Sequence, residues 1–274
     1  MILTEPVPPP DPGPPASPAA SPAPGVAEAA VDLHAVSLAF GPKQVFRDLD
    51  LRLEAGRVHA LIGPPAVGKS TTLKLIAGLM RPDAGEVHVL GQRIDDLSER
   101  ALGAVRERMG MLFQNNALFD VSVGENVAFP LRRIDAGLTE ATIRARVSER
   151  LAKVALAGFE ERQPAELSGG QKKRVGLARA TVADAALVLY DEPTAGLDPV
   201  TSQKIYDLVR GEQRATESTA VVVSSDVAGV LTIADHVAMF YEGRVVFTGS
   251  PDEARASRVP VVHQFVHGTL EGPL

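Results

Sequence analysis

The chain has 274 residues, 45% of them hydrophobic, enough for one large or two small domains around a sizeable core. Its formal charge of −6 argues against the basic face that phosphate backbones reward, so nucleic acid is not an expected partner. The absence of cysteine excludes a disulfide framework, thiolate catalysis and cysteine-ligated zinc or iron–sulfur sites.

No basic region followed by an apolar run opens the chain, and no uncharged apolar stretch reaches the roughly 18 residues that cross a bilayer. A cytoplasmic protein that meets a membrane only through a partner is expected. Residues 5–25 are dense in Pro, Ala and Ser, and residues 1–29 are expected as a disordered or polyproline-II tail, a plain solvated extension.

From Val31 the pattern changes to short apolar runs between turn residues. Residues 57–62 form a continuous β-prone run, which suits a strand buried on both faces of a parallel sheet. That run leads into Gly63-Pro64-Pro65-Ala66-Val67-Gly68-Lys69-Ser70, which fits G-x-x-x-x-G-K-[ST]. A helix is predicted over 69–79, with Leu73, Ile76 and Leu79 on its apolar face. The amides of residues 68–71, Thr71 included, then lie at a positive helix end suited to phosphate. In this arrangement Lys69 reaches the β- and γ-phosphates of a bound nucleotide and the Ser70 hydroxyl ligates Mg²⁺.

The segment from about Ile94 to Leu167 reads as a mostly helical insertion, with one helix over 139–157. Ser168-Gly169-Gly170-Gln171 then precedes a helix predicted over 171–183. Taken alone this turn is an ordinary helix cap, or a hydroxyl with two unobstructed amides able to grip a γ-phosphate. A second buried strand is predicted over 186–190, ending at Asp191 and Glu192. Beside a phosphate loop, adjacent acids suit divided labour, Asp191 holding Mg²⁺ and Glu192 polarising the attacking water. A helix over 199–214 and strands over 220–223 and 236–241 follow. His88, His236, His263 and His267 lack ligand spacing and read as packing or surface residues.

The ordered set of the 63–70 loop, Gln114, the 167–171 turn, the 187–192 strand with its acids, and Asp198 resembles an ATP-binding-cassette ATPase subunit over about residues 31–250. The resemblance implies an α/β P-loop fold over 30–250, with a mainly parallel core sheet, an antiparallel β subdomain and a helical subdomain at about 94–167. A tail then occupies 251–274. It implies a homodimer paired head to tail, each Ser168 turn completing the partner's nucleotide site. It also implies that Gln114 couples the Mg²⁺ site to a membrane permease and that Asp198 cross-links the two sites. Phe40 would stack on adenine, although its alternation with Val36 and Leu38 suits core packing equally.

Within that family, the strings 108–114, 117–119, 126–131, 233–236 and 264–268 are most similar to the ATPases of Mla/Mce-type lipid transporters. That likeness implies a permease, an Mce-type substrate-binding protein and a phospholipid cargo. Other cargoes, such as an amino acid or a lipoprotein to be released, remain open alternatives. The chain departs from the family pattern at Ser225, where a histidine usually contacts the γ-phosphate. A short neutral serine predicts slow turnover, or a nucleotide-gated switch that barely hydrolyses. Pro65 and Ala66 replace the more usual Ser and Gly, removing one amide from the cradle and adding strain if residue 66 is left-handed.

Overall fold

The computed structural model describes residues 28–274, so all but the last two residues of the expected N-terminal tail lie outside it. The chain begins with β1 (Ala29–Phe40), β2 (Lys43–Glu54), β3 (Val58–Ile62), α1 (Lys69–Ile76), β4 (Ala84–Val89) and β5 (Gln92–Arg93). It continues through α2 (Glu99–Arg106), β6 (Met109–Leu112), α3 (Val123–Ile134), α4 (Glu140–Lys153), α5 (Gly169–Thr181) and β7 (Leu187–Asp191). The last elements are α6 (Pro199–Thr216), β8 (Thr219–Val223), α7 (Val227–Val230), β9 (His236–Tyr241), β10 (Arg244–Gly249), α8 (Pro251–Ala256) and α9 (Pro260–His267).

Two sheets result. An antiparallel sheet runs β2-β1-β4-β5, and a six-stranded sheet runs β10-β9-β3-β8-β7-β6. In the second, every pair from β9 to β6 is parallel, and β10 adds an antiparallel edge. Every residue of β3, β7 and β8 is buried, as uninterrupted apolar runs require of strands covered on both faces. Alternate residues divide between two cores. Ala60, Ile62, Val188, Tyr190, Ala220 and Val222 face the helices α3–α6, whereas Leu61, Leu187, Leu189, Val221 and Val223 face α1 and the antiparallel sheet. Each large buried aliphatic contributes about 1.5–3 kcal/mol by leaving water.

The register carries the functional consequence. Leu61 and Asp191 both pair with Val223, and Leu112 pairs with Tyr190. The carboxyl ends of β3, β6, β7 and β8 are therefore level, and the residues that follow them emerge along one edge, where open α/β sheets take ligands.

Two features differ from the sequence reading. Met109–Leu112 lies in the segment expected to be mostly helical, and forms an edge strand paired with β7. It is only four residues long, and Gly110 lets the backbone of α5 approach so closely that a Cβ there would overlap the Ala180 carbonyl. Of the insertion's helices, α2 precedes this strand, and α3 and α4 follow it. The 251–274 segment, expected as a tail, folds back as α8 and α9 and buries Ala254, Val261 and Val262.

Candidate nucleotide site

The loop between β3 and α1 depends on its glycines at two points. Gly63 has φ +139° and abuts the Phe240 carbonyl, while Gly68, the N-cap of α1, has φ +106° and lies against the Phe46 ring. A Cβ at either residue would collide. Ala66 is also left-handed, with φ +62°, so the strain anticipated for that residue is present. α1 starts without a side-chain cap, leaving its first amides free for an anion. Lys69 is 8% exposed, and its Nζ donates to the carbonyls of Gly63 at 2.6 Å and Pro64 at 2.9 Å. Burial pushes its pKa down, against the pull of the Glu192 and Asp191 charges.

The Ser70 hydroxyl donates to Asp191 Oδ1 at 2.7 Å, joining the end of the loop to the end of β7. These hard oxygens suit Mg²⁺, which is held by one or two carboxylates together with substrate phosphates. Among the described residues no three His, Cys, Asp or Glu side chains are placed to hold a metal ion, and phosphate, water and other side chains would share the sphere with Ser70 and Asp191. Glu192 has φ +49°, its amide donates to Val223 O at 2.9 Å, and its Oε2 accepts from both the amide and the hydroxyl of Ser225, at 3.0 and 2.9 Å. Ser225 thus holds the carboxylate by one oxygen and leaves the other unbound by it.

A cleft of about 320 Å³ joins these groups, lined by Pro65, Ala66, Gly68, Lys69, Ser70 and Thr71 on the loop side, with Gln114 and Glu192 opposite. Val67 packs against the core beneath it. Phe40 closes one end and is 50% exposed, whereas Val36 and Leu38 are buried. The alternation breaks because the β1–β2 register shifts between Leu38 and Ala39, just before the turn, so the ring overhangs the cleft.

Ser168, Gly169, Gly170, Gln171 and Asp198 do not line this cleft. Ser168 caps α5 in a reciprocal box: its Oγ accepts from the Gln171 amide at 3.3 Å, and Gln171 Oε1 accepts from the Ser168 amide at 2.8 Å. Asp198 caps α6 through the Thr201 amide and hydroxyl, and the hydroxyl first, then the amide, holds its carboxyl below the usual range. Three residues escaped the sequence reading. Lys43 and Val45 line the cleft beside Phe40, and a basic residue so near a candidate aromatic platform was the available signal. Lys173 is 4% exposed yet stands between Lys172 and Arg174 in a run that reads as a solvated face.

The ABC transporter family profile matches residues 46–195. The chain belongs to the ABC transporter family. Over 245 residues it is 39% identical to the intermembrane phospholipid transport system ATP-binding protein MlaF of Haemophilus influenzae, covering 89% of this chain and 92% of that one. Another relative is TRIGALACTOSYLDIACYLGLYCEROL 3 of Arabidopsis thaliana, 37% identical over 90% of this chain and 76% of its own. Among solved structures, the dimeric post-hydrolysis state of the cassette MJ0796 bound to ADP and Pi superposes with a TM-score of 0.75 at 29% identity, covering 81% of this chain and 98% of that one. CbiO1 of Clostridium perfringens superposes at 0.77, also at 29% identity, over 88% and 96% of the two chains. The fold is that of an ABC cassette, and the protein is an ABC-type ATPase.

Proposed function

We propose that this chain is the ATP-hydrolysing subunit of a transporter that moves phospholipid across the cell envelope, working as a homodimer on the cytoplasmic side of an integral-membrane permease. The observation that carries the hydrolytic reading is the Ser70–Asp191 contact beside Glu192 in one cleft with Lys69. The lipid cargo is inferred from the likeness to MlaF and implies an Mce-type substrate-binding protein in the same complex.

The triphosphate lies along the free amides at the start of α1, and Lys69 leaves its loop carbonyls for the β- and γ-phosphates. The adenine stacks on Phe40, with Lys43 beside it. Ser70, Asp191 and Gln114 would hold Mg²⁺, which would neutralise phosphate charge. Glu192 takes the proton of the attacking water with the oxygen that Ser225 leaves free. Ser168, Gly169, Gly170 and Gln171 of the second copy close over the γ-phosphate, and Asp198 lies at the seam between the copies.

An apolar groove of about 310 Å³, lined by Met111, Phe113, Phe119, Phe129 and Ile134, starts one residue before Gln114. Its exposed aromatics suit a helix of the permease, which would bear directly on the Gln114 loop. No helix among the described residues is long and apolar enough to cross a membrane.

A second reading, a cassette that closes on ATP but barely hydrolyses it, is favoured by serine at 225 in contact with Glu192. Phosphate release by the assembled complex separates the two. Glu192→Gln should lower it by about 10²-fold or more while MgATP still binds. A parent rate no faster than that of Glu192→Gln would favour the switch, and an unaltered fast rate in the variant would remove Glu192 from the chemistry.

A further inference from the structure

Helix α5 carries a buried cation that the reaction described above leaves unused. Lys173 Nζ donates to Gln114 O at 2.6 Å and to Glu192 O at 3.2 Å. Its side chain is 4% exposed, so these carbonyls take the place of water around the ammonium group. Six residues further along α5, Arg179 donates to Asn116 O at 2.6 Å and Ala117 O at 2.8 Å, fixing the far side of the same loop. Asn116 and Ala117 have φ +58° and +45°, a loop conformation that needs such support. Only Lys173 of the two also reaches Glu192, whose own φ of +49° is held on the other side by Val223.

We propose that Lys173 is a positioning residue: a strut by which the helix that offers its 168–170 turn to one nucleotide fixes the Gln114 and Glu192 backbones around the other. Lys173 lies about one helical turn, some 5 Å of rise, inside α5 from the turn, and the helix between is continuous. Any reorientation of the turn on a partner's γ-phosphate therefore displaces the ammonium group that holds both backbones. Lysine suits the task because three rotatable donors on a compact head can serve two carbonyls from different strand ends. The inference rests on Glu192 activating water and on the turn acting across the dimer.

The test uses the full chain in its assembled complex, with steady-state phosphate release and equilibrium MgATP binding measured for Lys173→Met, Lys173→Arg and Glu192→Gln. Lys173→Met should lower kcat by about tenfold or more with MgATP affinity changed less than about threefold, and Lys173→Arg should recover kcat to within about threefold of the parent. Any other pattern of these values overturns the proposal, including equal losses in affinity and rate or an arginine variant as slow as the methionine one. If Lys173→Met does not fold, the arginine variant decides by the same threefold limit. Glu192→Gln separates the layers: if it abolishes turnover and Lys173→Met does not slow it, only the strut fails. If Glu192→Gln turns over like the parent, the reading of the site beneath it fails.

Discussion

The 63–70 loop and the 168–171 turn are both glycine-bearing entries to a helix, but their local hydrogen bonding differs. The first has no capping side chain, holds Ala66 in a left-handed conformation and folds its lysine onto its own carbonyls. The second is unstrained, is exposed at Ser168 and Gly169 and is closed by a capping box. The loop is thus an incomplete structure whose free amides and buried cation call for an anion. The turn is stable without a ligand and offers one hydroxyl proton and two glycine amides, too little to hold a triphosphate alone. In the proposed dimer one is a seat and the other a lid for the second copy, a division that fits the absence of the turn from the lining of the cleft in the same chain.

The largest expected effect tests the seat. Lys69→Met keeps the apolar stem but removes the charge, and should lower both MgATP binding and phosphate release by about 10²–10³-fold. The fold should survive, because only two loop carbonyls lose a partner, and equilibrium nucleotide titration reads the loss. Binding within a few-fold of the parent would mean that the amides alone make the seat.

Next in size is the lid. Ser168→Arg adds bulk at an exposed corner and costs about 1 kcal/mol of capping. MgATP should bind the isolated chain within about threefold of the parent, while phosphate release falls by about 10²-fold. Paired titration and turnover check this. A loss of binding equal to that of Lys69→Met would place the turn in the subunit's own site and dissolve the contrast.

How far this contrast was legible in the sequence follows from the range of the forces involved. The seat is local: a buried strand, fixed glycines and a helix start lie within about twenty residues, so the spacing in 57–76 carries the geometry. β7 and β8 were legible for the same reason, as continuous apolar runs. β6 was not, because its strand character comes from pairing with β7 about eighty residues later, and its four residues alternate between half-buried and buried. Phe40 was ambiguous because a register shift against β2 between Leu38 and Ala39, which the alternation of β1 alone does not reveal, decides which way the ring turns. Lys173 was hidden by its flanking charges, since only the tertiary position of the Gln114 loop makes it an interior cation.

The smallest effect separates what glycine does in the two elements. At Ala66 the left-handed backbone costs roughly 1–2 kcal/mol, and a glycine there returns about 0.5–1 kcal/mol of that through the freer unfolded chain. Ala66→Gly should therefore stabilise the protein by no more than about 1.5 kcal/mol, a rise of up to about 6 °C in Tm. Gly169 has no left-handed backbone to relieve, and a Cβ there would meet Leu197 only at an ordinary 4.0 Å. Gly169→Ala should leave the fold as stable or slightly firmer, yet slow phosphate release, because in the proposed dimer the added methyl would stand where the second copy's phosphate approaches the amide. Thermal melts alongside turnover give both answers. In the loop glycine is needed by the backbone; in the proposed dimer the turn's glycine is needed by the ligand of the other subunit, so a stable but slow Gly169→Ala is the outcome that the seat-and-lid distinction requires.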